Sequence, residues 1–411
     1  MPDARNEDSL TWLGQRATGL ERLDDFLPKA GKAYASMRNY DLGPQDHSNV
    51  SCLSPWVRHR LILETEVLAK TRSVHSFRES EKFIQEVFWR TYFKGWLEHR
   101  PDVWRQYQLQ LRNLQDELDK SSGMRQDYGN AVAGKTGIEC FDAWANELKQ
   151  TGYLHNHARM WFASIWIFTL RLPWQLGADF FYRHLLDGDP ASNTLSWRWV
   201  AGLHTKGKHY VARASNIEKY TQGRFSSPNL ALDPEPLFEP FEYPICPIDQ
   251  GDDMRSISDF GLLITEEDCM PEALPLAGNP SGICALCLPE DRSQLPIGDG
   301  VSAFVSQAVT DALGRAEKHF DRQAVVHQSK DWEHFLIDWA RSINVSTIIT
   351  AYAPMGPVQN RLETVAPVLE EAGITLLRVK RDYDVHSWPY ATRGFFKMKE
   401  KIPTLLNKLD L

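Results

Sequence analysis

Two rhythms of apolar and polar positions divide this chain. From Trp12 to about Phe225, apolar residues return every third or fourth place, the period of helices with one buried face. "EKFIQEVFWRTYFKGWLEH" and "FDAWANELKQTG" carry this period, and the second stops at a glycine, a common helix terminator. "TGYLHNHARMWFASIWIFTL" is apolar around most of its circumference, which predicts a central, buried helix. After Asp253 the rhythm changes to short β-like runs, "DFGLLITEE", "GICALCLPE", "RQAVVHQS", "VSTIITAYAP" and "GITLLRVKR". Helical stretches such as "VSAFVSQAVTDALGRAEKHF" and "EHFLIDWARSI" lie between several of them, the alternation of a parallel sheet flanked by helices. Between the two parts runs a proline-rich segment, Ser226 to Asp253, expected to be an extended surface connector. The predicted organisation is an all-helical domain over residues 1–225, a connector over 226–253, and a small Rossmann-like α/β domain over 254–411. The polar first ten residues are expected to be mobile.

Composition narrows the function. A formal net charge of −8 over 411 residues argues against indiscriminate nucleic-acid binding but leaves room for a local basic face. No apolar run is long enough to span a membrane, and "MPDARNEDSL" lacks the basic-then-apolar order of a secretory signal. A cytoplasmic monomer without membrane association is expected. The 14 tryptophans concentrate in the first half, as core mass or as a stacking surface for a planar ligand. Six cysteines do not make a disulfide scaffold in a chain of this length. Cys246, Cys269, Cys284 and Cys287 share one region, but "ICALCLPE" reads more readily as a buried strand than as a ligand set, so no metal is expected. Neither a GxGxxG nor a P-loop is present.

Four ordered motifs carry candidate chemistry. In "YASMRNY…NVSCLSPWVRHRL", small hydroxyls and backbone amides at a helix start suit a phosphate oxygen, although Ser54–Pro55 alone is equally an ordinary helix cap. In "EVFWRTYFKGW", Trp89 can stack on a base and Glu86 can bond to base carbonyl or imide groups; alone, Trp89 reads more readily as core. A lone Asn or His in "GYLHNHARMW" is more often a satisfied core polar group. In "HLLDGDPASNTLSWRW", the neutral amide of Asn193 can donate or accept, and Trp197 and Trp199, two apart, do not share a helix face. A basic run follows, Gly202 to Phe225, with Lys206, Lys208, Arg213, Lys219 and Arg224 against Glu218 alone. Arg58, Arg60 and Arg100 are expected to extend it towards phosphates.

Taken together and in order, these motifs make about residues 34–225 similar to the flavin-binding domain of the photolyase/cryptochrome family, closest in pocket residues to cyclobutane pyrimidine dimer photolyases. The resemblance implies FAD, held by Tyr34, Arg38, Ser51, Leu53, Ser54, Asn156, Arg159, Asp187, Asp189 and Asn193. Val50 stands where the family has threonine, and His157 where it usually has arginine. The resemblance also implies that Glu86, Trp89, Met160 and Trp199 hold an extruded pyrimidine dimer and that Asn193 faces flavin N5. Trp197 and Trp174 match two members of the family's electron-carrying tryptophan chain. The third place falls near Ser121, with Tyr128, Tyr153 and Trp161 as candidate substitutes. Lys206, Lys208 and Arg213 are the implied DNA contacts.

In the family the α/β domain precedes the flavin domain; here it follows, an antenna-like domain in permuted order. It shows no residue-level antenna motif, so the antenna chromophore is unassigned. The implied function is light-driven repair of cyclobutane pyrimidine dimers in damaged DNA, single- or double-stranded, by electron transfer from photoexcited reduced FAD. The alternative is a cryptochrome-like blue-light photoreceptor that binds FAD without repair, favoured by the acidic balance, the displaced α/β domain, His157 and the incomplete tryptophan chain. A third reading is a dark flavin-binding interaction protein. The dimer-pocket residues, and asparagine rather than aspartate at position 193, lean towards repair.

Overall fold

The computed structural model describes residues 12–226, 229–254 and 257–411, so the mobility expected for the first ten residues lies outside the described residues. The first half folds into helices α1 (Arg16–Phe26), α2 (Lys32–Met37), α3 (Ser54–Arg58), α4 (Glu64–Val74), α5 (Phe77–Glu98) and α6 (Pro101–Lys120). They are followed by α7 (Ser122–Ala133), α8 (Glu139–Thr151), α9 (Asn156–Ser164), α10 (Trp174–His184), α11 (Pro190–Ala201) and α12 (Ala214–Tyr220). The predicted central helix is α9, continued by a π-helical turn, Ile165–Thr169, with Trp166 fully buried. Such wide turns often accompany functional sites.

All five β-like runs form strands: β1 (Gly261–Thr265), β2 (Gly282–Leu286), β3 (Ala324–His327), β4 (Thr347–Ala351) and β5 (Thr375–Val379). They make one parallel sheet in the order β3-β2-β1-β4-β5. Helices α13 (Asp299–Phe320), α14 (Trp332–Ser342) and α15 (Pro357–Glu371) connect them, and α16 (Asp382–Ser387), α17 (Phe395–Lys399) and α18 (Ile402–Lys408) close the chain. Every residue of β1 and β2 is buried, as the unbroken apolar runs of a sheet covered on both faces require. The architecture is therefore a helical domain followed by a small parallel-sheet α/β domain. Among the described residues, no helix is long and apolar enough to cross a membrane.

Packing joins the two parts. Leu23, Trp56 and Leu61 share a core with Phe260, Leu262, Phe304 and Val305, which seats α13 on the start of the helical part. Tyr383, Phe395, Met398 and Ile402, from the end of the chain, pack in the same core as Phe88, Tyr92 and Trp96 of α5. Each large apolar side chain so buried contributes roughly 1.5–3 kcal/mol. The described residues of the connector have neither helix nor strand, yet they are pinned: Leu237 N donates to Ala201 O at 2.9 Å and Cys246 N to His99 O at 2.8 Å.

The carboxyl ends of β1 and β4, where the strand order reverses, are closed by side chains. In open α/β sheets this crevice is the usual place for a ligand. Here Glu267 takes both terminal nitrogens of Arg58 at 2.7 Å, and Glu266 accepts from Arg292 at 2.6 Å. Asp268 takes a bidentate pair from Arg381 at 2.7 Å, and Arg60 bonds to both oxygens of Asp384 at 2.8 and 2.7 Å. Beyond β4, Tyr352 Oη donates to Glu98 of α5 at 2.7 Å.

Candidate functional site

A cavity of about 680 Å³ opens in the helical part, lined by α5, α9, α11 and the segment leading into α3. Ligand pockets commonly measure about 300–1,000 Å³. On α5, residues 86, 89, 90 and 93 follow helical spacing, so Glu86, Trp89, Arg90 and Phe93 present one face to the cavity. Asp189 sets α11 in place: its carboxylate accepts from Ser192 N at 2.8 Å as an N-cap, and Pro190 occupies the first turn. That start brings Ser192, Asn193, Ser196, Trp197 and Trp199 to the cavity. Between Ser51 and Leu53, Cys52 has φ +52°, a left-handed backbone that ordinary side chains rarely adopt. Strain of this kind concentrates at ligand sites.

Polar groups are arranged in pairs around this space. Arg159 donates to both oxygens of Asp187 at 3.0 Å and to Leu154 O at 2.8 Å. Burial works to raise the Asp187 carboxyl, but Arg159, with Arg90 and Ser54, outweighs it and holds the group ionised below its usual range. Asp189 is likewise held low against burial by Lys94, Arg90 and Arg58, with Lys94 Nζ at 3.4 Å. Glu86 is raised by burial, against the opposing pull of Arg38, with which it forms an ion pair. Burial, with Arg38 adding to it, lowers His157 to about 4, so a neutral imidazole stands at neutral pH where the family usually has a permanent cation. The Asn193 amide nitrogen donates to Ala178 O at 2.8 Å, which fixes the amide and leaves its oxygen as the free acceptor.

Among the described residues, several cavity-lining groups lack a hydrogen-bond partner. Ser192 Oγ, His157 Nδ1 and Trp197 Nε1 are buried without one, and so is Arg90 Nη1, which is ion-paired with Asp189 at 3.7 Å. A buried polar atom left unpaired costs about 1–3 kcal/mol. Four on one lining, beside strained backbone and apolar Phe83, Phe181 and Leu185, fit a flat cofactor with hydrogen-bonding edges.

Tyr34, Arg38, Ser51, Leu53, Ser54, Asn156, Arg159, Asp187, Asp189 and Asn193 all line this one cavity, as do Glu86, Trp89, Met160, Trp197 and Trp199. Trp174 does not; it is buried and stacked on Tyr107, ring centroids 5.4 Å apart. Lys206, Lys208 and Arg213 are exposed outside the lining, and Lys206 pairs with Glu242 of the connector at 3.0 Å. The expectation that Arg58, Arg60 and Arg100 extend the basic face is corrected. Arg58 and Arg60 are buried at 0% and 2% exposure in the ion pairs beside the sheet. Arg100 lies over Trp96, 4.3 Å from the ring centroid, and donates to Thr392 O. The CxxC cysteines sit on and just after β2, and no cluster of three or more metal-ligating side chains occurs among the described residues.

Sequence reasoning missed Arg90, Lys94 and Ser192. The helical spacing from Glu86 could have pointed to Arg90, and the N-cap of α11 to Ser192. Phe395, stacked on Trp89 at 3.7 Å and 14°, had no local signal.

The combination of a helical domain, a cavity lined by paired carboxylates and guanidinium groups, and unpaired hydrogen-bonding edges defines a cofactor-binding protein. Residues 83–227 match the family described as the FAD binding domain of DNA photolyase. Similar proteins include a deoxyribodipyrimidine photo-lyase of Agrobacterium fabrum, 32% identical over 207 residues, covering 49% of this chain and 41% of that protein. Another is a cryptochrome DASH of Idiomarina loihiensis, 27% identical over 214 residues, covering 51% and 45%. A solved class III photolyase of Agrobacterium tumefaciens shares 26% identity, covers 54% of this chain and 46% of that one, and has a TM-score of 0.42. The chain thus spans less than half the length of these relatives. The helical domain is similar to the FAD-binding domain of photolyases and cryptochromes, and this similarity supports FAD as its cofactor.

Proposed function

We propose that this protein repairs cyclobutane pyrimidine dimers in DNA by light-driven electron transfer from its reduced FAD. The observation that carries the reading is the sharing of one cavity by two sets of residues: Arg159, Asp187 and Asn193 of the flavin set, and Glu86, Trp89, Met160 and Trp199 of the lesion set. Reduced FAD held there would supply light-driven one-electron chemistry.

The protein's part is binding and orientation. Tyr34, Arg38, Ser51, Leu53 and Ser54 hold the phosphates, while Asn156, Arg159, Asp187 and Asp189 hold the sugar chain and ring. The Asn193 oxygen, with its amide nitrogen committed to Ala178 O, would accept a hydrogen bond from a ring N–H. Glu86, its carboxyl raised by burial and ion-paired to Arg38, lies on the cavity face of α5, where it can bond to a base carbonyl or imide group. Trp89, one face covered by Phe395, offers the other to the extruded base, with Trp199 opposite and Met160 filling the remaining side. Lys206, Lys208 and Arg213 contact DNA phosphates, Trp197 begins the electron chain at the cavity, and residues 254–411 form a permuted antenna-like domain beyond the connector.

The test is illumination of the FAD-loaded, reduced protein with an oligonucleotide carrying one thymine dimer. Dimer loss in light but not in darkness, falling at least tenfold in Glu86→Ala and Trp89→Ala, is the expected result. Intact dimers beside a normal bound-flavin spectrum transfer the conclusion to a photoreceptor. That second reading draws on the neutral His157 and on Lys206 already paired with the acidic connector.

A further inference from the structure

We propose that electron holes leave the cavity of this protein through Trp197, Trp166 and Tyr128, with Tyr128 as the surface terminus. The proposal rests on the flavin reading of the cavity. Trp197 lines the cavity, and its ring centroid lies 6.1 Å from that of Trp166, nearly perpendicular at 87°. Trp166 lies a further 6.1 Å from Tyr128, at 83°. Gly177 makes the first approach possible: a Cβ there would run into the Trp197 ring and stand 2.9 Å from the Trp166 ring. Trp166 is anchored by donation from its Nε1 to Pro173 O at 2.9 Å, and it occupies the π-helical turn after α9.

Tyr128 is half-buried on α7, whose outer residues are largely exposed. Its oxygen accepts from Arg183 Nη2 at 3.1 Å, and Arg183 is held in turn by Asp179 at 2.8 Å and Pro296 O at 2.9 Å. The phenol is protonated at neutral pH, raised by burial, so its oxidation releases a proton, and the neighbouring guanidinium favours that loss. The Trp174 branch differs: Trp174 stacks on Tyr107, which meets Trp104 at 5.4 Å, and all three rings are buried.

The electron count closes. Trp197 gives one electron to a photoexcited flavin, the oxidant required; Trp166 refills Trp197, and Tyr128 refills Trp166. Tyr128 loses its phenolic proton to solvent and remains a neutral radical until a thiol supplies one electron and one proton.

The experiment uses the flavin-loaded chain, flashed with blue light beside a nitroso spin trap. The flavin spectrum is recorded first, and peptide mass mapping then locates the adduct. An adduct on Tyr128 is expected, lost in Tyr128→Phe, reduced at least tenfold in Trp166→Phe, and kept in Trp174→Phe. Gly177→Ala, which forces the rings apart while leaving both in place, should also weaken it, and circular dichroism checks that each variant is folded. An adduct that survives Trp166→Phe, or disappears in Trp174→Phe alone, overturns the route while leaving the flavin reading intact. A chain that binds no flavin overturns both.

Discussion

Two concave regions of this molecule pair their charged side chains in similar ways and differ in the space beside them. Beside the sheet, Arg58, Arg60, Arg292 and Arg381 are each matched to a buried carboxylate, although Arg60 Nε and Arg292 Nε and Nη1 keep no hydrogen-bond partner. In the helical cavity, Arg159 and Asp187 are matched, and Ser192, His157 and Trp197 keep buried atoms without hydrogen-bond partners. The comparison teaches that charge, burial and unpaired atoms alone do not mark a ligand site. The open volume of about 680 Å³ beside the cavity's unpaired atoms does, because a ligand placed there could relieve their cost. The sheet crevice, where other α/β proteins place ligands, here serves to join the two parts of the chain.

Four expected outcomes press on this contrast. The largest belongs to the crevice. Arg60→Ala leaves Asp384 buried and unpaired, and should lower the unfolding free energy by about 3–5 kcal/mol in urea titration. An effect near zero would mean that the crevice is not the joint.

Acid comes next, and it strikes both regions. Burial and nearby guanidinium groups hold His59 of the crevice at about 3 and His157 of the cavity at about 4, whereas an unfolded histidine titrates near 6.5. The unfolded chain therefore binds more protons between these values. Stability is full above about pH 6.5 and declines as pH falls towards 4, by on the order of 1–3 kcal/mol per histidine. Thermal melts across that window measure it, and His157→Gln should flatten part of the slope.

Trp89→Ala removes a stacking face worth about 1–3 kcal/mol, so dimer-containing DNA should bind roughly 5- to 150-fold more weakly while undamaged DNA is little affected. Fluorescence titration against both oligonucleotides reads the difference. Smallest is Ser192→Ala. It should leave the free chain within about 0.5 kcal/mol of wild type, since no internal bond is lost, yet weaken FAD binding by about 1 kcal/mol. Equal effects with and without FAD would erase the distinction between the two regions.

Much of this was legible in the sequence because it is local. The five strands were readable as apolar runs, α5 and α8 as three- and four-residue periods, and α9 as a run apolar around most of its circumference. The motif residues Tyr34 to Asn193 converge because each motif sits on one short element. What was illegible depends on partners far along the chain. Arg58 and Arg60 look like surface cations until Glu267 and Asp384 fold over them. Trp89 looks like a free stacking face until Phe395 covers one side. Trp166 looks like ordinary core until Gly177 lets it meet Trp197.

The most direct test of the central claim is equilibrium FAD binding by the wild-type chain and by Arg159→Ala, followed by flavin fluorescence. The account predicts one FAD per chain and an affinity about 10- to 150-fold lower in the variant, the loss of a charge-assisted contact worth about 1.5–3 kcal/mol. No binding by the wild type, or equal binding by a folded Arg159→Ala, would contradict it.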